Sequence, residues 1–263
     1  MIVAPLCSGS TANSTFIGTK SNGILIDVGC SYKRLREYLC FCNIELSAIK
    51  AVLLTHEHSD HVKGLLQFTK HNNIPVFASS GTCNAILAHG LVYNPDRLFA
   101  LDRLGELESD YFVEAFNTPH DSAQSTGFVI TSQNEYKVAY LTDLGEITPE
   151  VESATLGANL AFIESNYDVE LLRKNTSYPA FTKDRIRSRY GHLSNTDSAD
   201  YIQKLVENGA TRIMLAHLSR ENNTPQIAFT HTVNRLSAAG LRHNYDYTLD
   251  IAGVQTVGEY MAV

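Results

Sequence analysis

One stretch decides the fold of this chain, Thr55-His56-Glu57-His58-Ser59-Asp60-His61, which places three histidines and an aspartate within six residues. The residues before it, 49–54, are mostly aliphatic and predict a buried strand, whereas residues 62–68 have the apolar spacing of a helix. Imidazole nitrogens and carboxylate oxygens crowded on one strand-to-helix turn are typical of a divalent metal site. The sequence therefore predicts a metal-binding turn.

The length and composition predict one globular domain over residues 1–263. The chain has 263 residues, of which 44% are hydrophobic, and this is enough to bury a sizeable core. We find neither a linker nor a tandem repeat in the sequence, so we predict a single domain.

The charge and the cysteines restrict the function classes. A net charge of -7 argues against bulk attraction to nucleic acid or to an anionic membrane, although it leaves room for a local basic patch. Five cysteines without zinc-ribbon spacing fit a reducing compartment better than a disulfide framework. No apolar run reaches the roughly 18 residues that span a bilayer, and the first residues lack signal-peptide features. We expect a soluble cytoplasmic protein with no membrane contact.

The remaining pattern predicts an α/β protein. Strands are expected at residues 2–6, 14–18, 23–26, 49–54, 75–78, 111–116, 127–131, 137–142, 159–163, 212–216, 245–249 and 256–260. Helices are expected at residues 32–39, 62–71, 81–89, 196–207 and 225–236, and residues after 89 through Arg103 read as a polar stretch. Ser194, Asn195 or Thr196 can cap the helix at 196–207.

Further candidate ligands follow other predicted strands. His120, Asp143 and His217 each lie just beyond a predicted strand, in the same local context as the first cluster. Asp27 also follows a strand, where it either orients a ligand imidazole or is an ordinary turn aspartate or helix cap.

The pattern His-x-His-x-Asp-His, formed by His56, His58, Asp60 and His61, resembles the signature of the metallo-β-lactamase fold. The resemblance implies an α/β protein with a metallo-β-lactamase-like αβ/βα four-layer sandwich, two divalent metal ions, and a hydroxide between them as nucleophile. It assigns His56, His58 and His120 to the first metal, Asp60, His61 and His217 to the second, and Asp143 to both. Zinc, manganese and iron all suit these nitrogen and oxygen donors.

Two segments resemble the Glu/His dyad of transfer-RNA 3′-processing and related nucleases. They are Phe-Ile-Glu-Ser-Asn-Tyr-Asp, with Glu164, and Gly-His-Leu-Ser-Asn, with His192. The resemblance implies that His192 protonates the leaving oxygen while the carboxylate of Glu164 holds its imidazole. We predict Asp60, Glu164 and His192 as the catalytic residues, Asp60 being also a ligand. The alternatives are a plain helix-start residue for His192 and a plain strand-end acid for Glu164.

These motifs and the small polar turn at residues 8–14 together resemble the YycJ/WalJ-type metallo-hydrolases of Gram-positive bacteria. The resemblance implies a 5′-to-3′ exonuclease acting on DNA, with a role in DNA repair. The turn itself forms either a backbone nest for a phosphate or an ordinary hairpin turn.

A basic segment is the candidate contact with nucleic acid. Residues 170–192 contain six basic and two acidic side chains, which give a net charge of +4. The basic ones are Arg173, Lys174, Lys183, Arg185, Arg187 and Arg189, and the neighbouring aromatics Tyr167, Tyr178, Phe181 and Tyr190 either stack on bases or pack in the core.

We therefore predict a nucleic-acid partner, with DNA favoured over RNA. The alternatives are an RNA-processing nuclease and a hydrolase of lactones, thioesters or cyclic nucleotides. A non-catalytic binding protein ranks last, because no ligand of the motif is missing.

Overall fold

The computed structural model describes residues 1–107, 110–253 and 261–262. The chain divides into two compact units, the first formed by Met1–Val113, Ser122–Thr126 and Ala252–Val263, the second by Glu114–Asp121 and Gly127–Ile251. Each unit contains a sheet and an apolar core. The single domain over residues 1–263 stays a prediction.

Strands and helices alternate along most of the chain. The strands are β1 (Ile2–Cys7), β2 (Ser14–Gly18), β3 (Gly23–Ile26), β4 (Ile49–Leu53), β5 (Val76–Ala78), β6 (Leu98–Ala100), β7 (Tyr111–Asn117), β8 (Thr126–Ser132), β9 (Lys137–Leu141), β10 (Leu160–Glu164), β11 (Arg212–Ala216), β12 (Thr248–Ile251) and β13 (Met261–Ala262). The helices are α1 (Tyr32–Phe41), α2 (Ser59–Val62), α3 (Leu65–His71), α4 (Ser80–Ala88), α5 (Pro149–Thr155), α6 (Val169–Lys174), α7 (Ala180–Arg187), α8 (Asn195–Glu207) and α9 (Pro225–Ala238).

The sheet of the first unit is mixed, with the order β13-β1-β2-β3-β4-β5-β6 among the described residues. Strands β1, β2 and β3 pair antiparallel, whereas β3 to β6 run parallel. Ile26, the last residue of β3, is in register with Leu53, the last residue of β4. The segments after these two strands therefore leave the sheet at the same edge, and this brings Asp27 and Thr55 together.

The sheet of the second unit has the order β12-β11-β10-β9-β8-β7 over its described residues. Strands β8 and β9 form the predicted hairpin, and β9 to β12 are parallel. The carboxyl ends of β9, β10 and β11 thus share one edge, the usual place for a site in a parallel sheet. Asp143, Glu164 and His217 lie at this edge.

Helix α8 shows how the second unit builds its core. Its side chains Tyr201, Ile202 and Leu205 are buried at helical spacing. Ser194 is the cap residue, because its Oγ accepts a hydrogen bond of 3.1 Å from the amide of Asp197. A cap of this kind stabilises a helix by about 1 kcal/mol.

The structure corrects the sequence predictions at several places. Residues 98–100, predicted as part of a polar stretch, form β6, a three-residue strand whose half-buried side chains give too short a pattern to recognise. Strand β12 begins at Thr248 rather than near Tyr245, which is exposed and lies in the turn before it. The predicted strand at residues 256–260 lies outside the described residues.

The sequence analysis missed three helices, α5, α6 and α7.

None of the helices in the described part of the chain has the length and the hydrophobicity that a membrane span requires.

Candidate functional site

The predicted metal-binding turn lies directly after β4 in the first unit, and we call its four donors, His56, His58, Asp60 and His61, the His-Asp turn. His58 precedes α2, while Asp60 and His61 lie within this helix. The ring centroids of His56 and His58 are 4.5 Å apart, and those of His56 and His61 are 4.1 Å apart. Three imidazoles of one turn therefore converge.

Asp27 orients one of these imidazoles. Its side chain is 0% exposed, and its Oδ2 lies 2.7 Å from Nδ1 of His61. The amide and the hydroxyl of Thr55 both donate hydrogen bonds of 2.9 Å to the same carboxylate. Burial raises the pKa of Asp27, and the contacts with His61 and Thr55 offset only part of that rise. A histidine whose Nδ1 faces a carboxylate presents Nε2 for a metal, as metal-binding histidines usually do.

Asn13 is a neighbour of the His-Asp turn that the sequence analysis did not single out. Its Nδ2 lies 3.2 Å from Oδ2 of Asp60 and 3.0 Å from Nε2 of His61, and its Oδ1 accepts a hydrogen bond from the amide of Gly9. Asparagine in a small polar turn is an ordinary turn residue, so no sequence signal points to this contact.

The second unit assembles its own set of donors, which we call the second cluster: His120, Asp143, Glu164, His192 and His217. Asp143, Glu164, His192 and His217 each offer a ligand atom, and these four atoms all lie within 4.8 Å of one another. Oδ1 of Asp143 is 3.5 Å from Nδ1 of His217 and 3.8 Å from Nδ1 of His192. Residues from four separate segments thus converge on one point.

Glu164 holds the second cluster together and is 0% exposed. Its Oε2 lies 2.7 Å from Nδ1 of His217 and 3.0 Å from Nδ1 of His192, while its Oε1 accepts a hydrogen bond of 2.7 Å from the amide of Leu193. Burial raises the pKa of Glu164, but the two imidazoles outweigh it and hold the pKa below its usual value. An ionised carboxylate therefore orients both rings, whereas the sequence predicted a contact with His192 alone.

His120 is oriented by the backbone. Its Nδ1 lies 3.1 Å from the carbonyl oxygen of Gly191, and its Nε2 is 3.8 Å from Oδ1 of Asp143. Burial lowers the pKa of His120, and the opposing effect of Asp143 does not cancel this. The neutral imidazole that results is the form that binds a metal.

Three residues beside strand ends have strained backbones. Asp27, Asp143 and His217 have φ values of 59°, 56° and 52°, in the left-handed region that residues other than glycine seldom adopt. Strain of this kind costs about 1–3 kcal/mol per residue and concentrates at functional sites. These three residues follow β3, β9 and β11, and each belongs to one of the two donor sets or contacts one of its imidazoles.

The donors of each unit suit a divalent metal ion. They are imidazole nitrogens and carboxylate oxygens, which suit zinc, manganese or iron. The Nδ1 atoms of His61, His120 and His217 all face a carboxylate or a carbonyl oxygen, which is the usual support for a metal-binding imidazole. Divalent metal binding is therefore the chemistry that these residues fit.

The basic segment is more neutral than its sequence suggests. Arg173 and Lys174 pair with Glu170, and Arg187 pairs with Asp184. Arg185 pairs with Asp121, and Arg189 lies 2.9 Å from Glu146, two acids outside the segment. Including these two acids lowers the local net charge from +4 to +2.

The four aromatic residues of this region differ in their exposure to solvent. Tyr167 is buried and packs in the core, whereas Phe181 is 74% exposed and Tyr190 is 49% exposed. Tyr178 is half-buried, so Phe181 and Tyr190 are the rings most open to a ligand from solution.

Comparison with known proteins agrees with this fold. A family model for the β-lactamase superfamily domain matches residues 22–218. The crystal structure of Zn²⁺-bound PqqB from Methylobacterium extorquens is 16% identical, with a TM-score of 0.70 and full coverage of both chains. This structural similarity establishes the metallo-β-lactamase fold.

Two curated relatives are similar over most of their length. The exodeoxyribonuclease YycJ of Bacillus anthracis is 34% identical over 85% of this chain and 84% of its own. The exodeoxyribonuclease WalJ of Streptococcus pneumoniae is 32% identical over 92% of this chain and 90% of its own. The chain therefore belongs to the β-lactamase superfamily, in the group of metallo-β-lactamase-fold hydrolases that includes YycJ and WalJ.

Proposed function

We propose that this protein is a metal-dependent nuclease that hydrolyses phosphodiester bonds, with DNA favoured over RNA. The observation that carries the proposal is the pairing of His192 with the buried carboxylate of Glu164, 3.0 Å away, in a cluster that suits a metal. The exodeoxyribonuclease names of two relatives at 34% and 32% identity support the same reaction.

We propose two divalent metal ions, zinc or manganese, with iron as a further option. The ligand assignment is the one that family membership suggests: His56, His58 and His120 for one ion, Asp60, His61 and His217 for the other, and Asp143 for both. Metal ions of this kind activate water and neutralise the charge of a phosphate. Asp27 and Glu164 support the assignment, because each carboxylate orients a proposed ligand.

His192 is the proposed general acid. Its side chain is 16% exposed, so the ring reaches a substrate from solution, and Glu164 at Nδ1 holds the ring in place. Nε2 then donates its proton to the leaving oxygen as the phosphodiester bond breaks. A positioned acid of this kind contributes about 10²- to 10⁴-fold to the rate.

Asp60 has two proposed roles, as a metal ligand and as a catalytic residue. Its Oδ2 lies 3.5 Å from Nε2 of His61 and accepts a hydrogen bond of 3.2 Å from Asn13. These contacts hold the carboxylate in place beside the imidazole, so that the enzyme does not have to order it during the reaction.

The finer assignment is a 5′-to-3′ exonuclease that acts in DNA repair in the cytoplasm. The exposed rings of Phe181 and Tyr190 are the proposed base-stacking residues, because both lie in or beside the basic segment. The ion pairs of that segment predict a weaker electrostatic contribution to binding than its sequence charge implies.

The test is cleavage of DNA and RNA labelled at the 5′ or the 3′ end, with manganese or zinc added. Wild type is compared with Asp143→Ala and His192→Ala, and with His89→Ala as a control at an exposed histidine outside both clusters.

We expect wild type and the control to degrade DNA from its 5′ end, Asp143→Ala to be inactive, and His192→Ala to be slow. A metal-loaded enzyme that cleaves neither polymer but hydrolyses a lactone, a thioester or a cyclic nucleotide would contradict the nuclease proposal.

A further inference from the structure

The first unit contains a polar cavity that the proposed reaction does not use. Its volume is about 340 Å³. It is lined by the end of β1 and the turn after it, the loop after β3, helix α1 and the residue that follows α2. Two cations, Arg34 and Lys63, line it, and none of its lining residues is an aspartate or a glutamate. The charged residues that line this cavity are therefore all cationic, although the chain as a whole has a net charge of -7.

The two cations are available to a ligand. Among the described residues, neither the guanidinium of Arg34 nor the ammonium of Lys63 has an ion pair or a side-chain hydrogen bond, since Arg34 contributes only its backbone amide to Ser31. In the basic segment, by contrast, five of the six cations form ion pairs. The two cations of the cavity thus differ from most cations of the basic segment in having no acidic partner among the described residues.

The backbone adds to the positive potential. Ser31 is the cap residue directly before α1, a helix of ten residues, and it lines the cavity together with Arg34. The amino end of a helix carries a partial positive charge that favours anions. The cavity therefore combines a cation of α1, a cation directly after α2 and the amino end of α1.

Backbone hydrogen bonds connect one wall of the cavity to the His-Asp turn. The amide of Gly29, a lining residue, donates a hydrogen bond of 2.8 Å to the carbonyl of Asn13, and Asn13 donates its own amide to the carbonyl of Asp60. Lys63 follows His61 by two residues. A group bound in the cavity therefore lies one loop away from two of the proposed metal ligands.

We propose that this cavity binds a phosphate group of the nucleic acid, at a position other than the bond that is hydrolysed. The proposal rests on the nuclease function, because it assigns the cavity to the same substrate. Arg34 supplies planar N–H donors to the phosphate oxygens, and Lys63 supplies a point charge.

The first experiment measures cleavage of single-stranded DNA by the metal-loaded full chain. Arg34→Ala/Lys63→Ala is compared with Lys33→Ala/Lys70→Ala, which removes two exposed cations of α1 and α3 that do not line the cavity. We expect the first pair to raise KM about tenfold with kcat within about twofold of wild type. The slope of log KM against log salt concentration should also fall by about 0.7, as for one lost phosphate contact.

The same variants distinguish two sources of the phosphate. An effect confined to DNA with a 5′-phosphate, absent with a 5′-hydroxyl, assigns the cavity to the terminal monoester. An equal effect on both assigns it to an internal diester. A cavity variant whose KM and salt slope match those of the control variant would overturn the proposal.

A second measurement separates failure of the cavity from failure of the nuclease function. Inorganic phosphate is titrated into the zinc-loaded chain, and the NMR shifts of the backbone amides of residues 29–34 are followed. Shifts in wild type that disappear in Arg34→Ala/Lys63→Ala support the phosphate site even if no polymer is cleaved. Cleavage of DNA without these shifts, and with unchanged KM in the variant, would leave the nuclease function and remove the phosphate site.

Discussion

Two buried carboxylates, Asp27 in the first unit and Glu164 in the second, support imidazoles in different ways. Asp27 contacts one imidazole, that of His61, and is otherwise held by Thr55. Glu164 contacts two, those of His192 and His217. Burial dominates at Asp27 and raises its pKa, whereas the two rings at Glu164 lower its pKa.

The comparison indicates that the two carboxylates have different roles. The first carboxylate supports a proposed ligand only, whereas the second links a proposed ligand to the proposed general acid. A change at Glu164 therefore affects two functions at once, and a change at Asp27 affects one.

The largest predicted effect tests whether the two clusters serve one reaction. His56→Ala and His217→Ala should each lower kcat/KM for DNA by at least about 10³-fold, because metal ions supply several kcal/mol of transition-state stabilisation and each 1.36 kcal/mol is tenfold. Steady-state kinetics with metal analysis would check this. A loss in only one of the two variants would show that one cluster is dispensable.

The next effect compares the two carboxylates directly. Glu164→Gln should lower kcat about 10²- to 10³-fold, because it disturbs both a ligand and the acid. Asp27→Asn should lower activity only about 10- to 100-fold, through metal affinity. The measurement is kcat over a range of metal concentrations, where excess metal should restore much of the Asp27→Asn activity. Equal losses of kcat in the two variants, unchanged by excess metal, would contradict the proposed difference between the two carboxylates.

The proposed acid is tested separately from the metal ligands. His192→Ala should lower kcat on DNA about 10²-fold with unchanged metal content, because only proton donation to the leaving oxygen is lost. A nitrophenyl phosphodiester, whose leaving group needs no protonation, should be hydrolysed at nearly the wild-type rate. An equal loss on both substrates would assign His192 a different role.

The smallest predicted effect is on stability, and its sign should differ between the two carboxylates. The pKa of Glu164 is lower in the folded protein than in the unfolded chain, so its ionised form stabilises the fold. This stabilisation is complete above the unfolded pKa and is lost as pH falls through the folded pKa. The pKa of Asp27 is higher in the folded protein than in the unfolded chain, so its protonated form stabilises the fold. This stabilisation is complete below the unfolded pKa and is lost as pH rises through the folded pKa.

Chelator-treated Glu164→Gln should therefore lose less stability than wild type on acidification below the usual pKa of 4.5. Asp27→Asn should gain relative to wild type as pH rises above 3.8 toward neutrality. Urea unfolding at several pH values would check both, and parallel curves for the three proteins would contradict the assignment.

The sequence was sufficient to predict the fold, through its family resemblance, and the position of the His-Asp turn, because the four donors lie within six residues and follow a clear apolar strand. Asn13 could not be predicted, since it meets His61 across 48 residues of sequence, and neither could the contact of Glu164 with His217 across 53. Helix α7 was missed because none of its residues is buried, so it has no apolar period. The ion pair of Arg185 with Asp121 spans 64 residues, which is why the charge count overestimated the basic segment.

The most direct test of the central claim is a metal titration of DNA hydrolysis by the chelator-treated protein. Zinc or manganese is added in increments, and both bound metal and the initial rate of DNA cleavage are measured at each step. We predict a rate that is near zero without metal and reaches its maximum at two metal ions per chain. DNA cleavage that persists without bound metal, or two bound ions without any cleavage of DNA, would contradict the account.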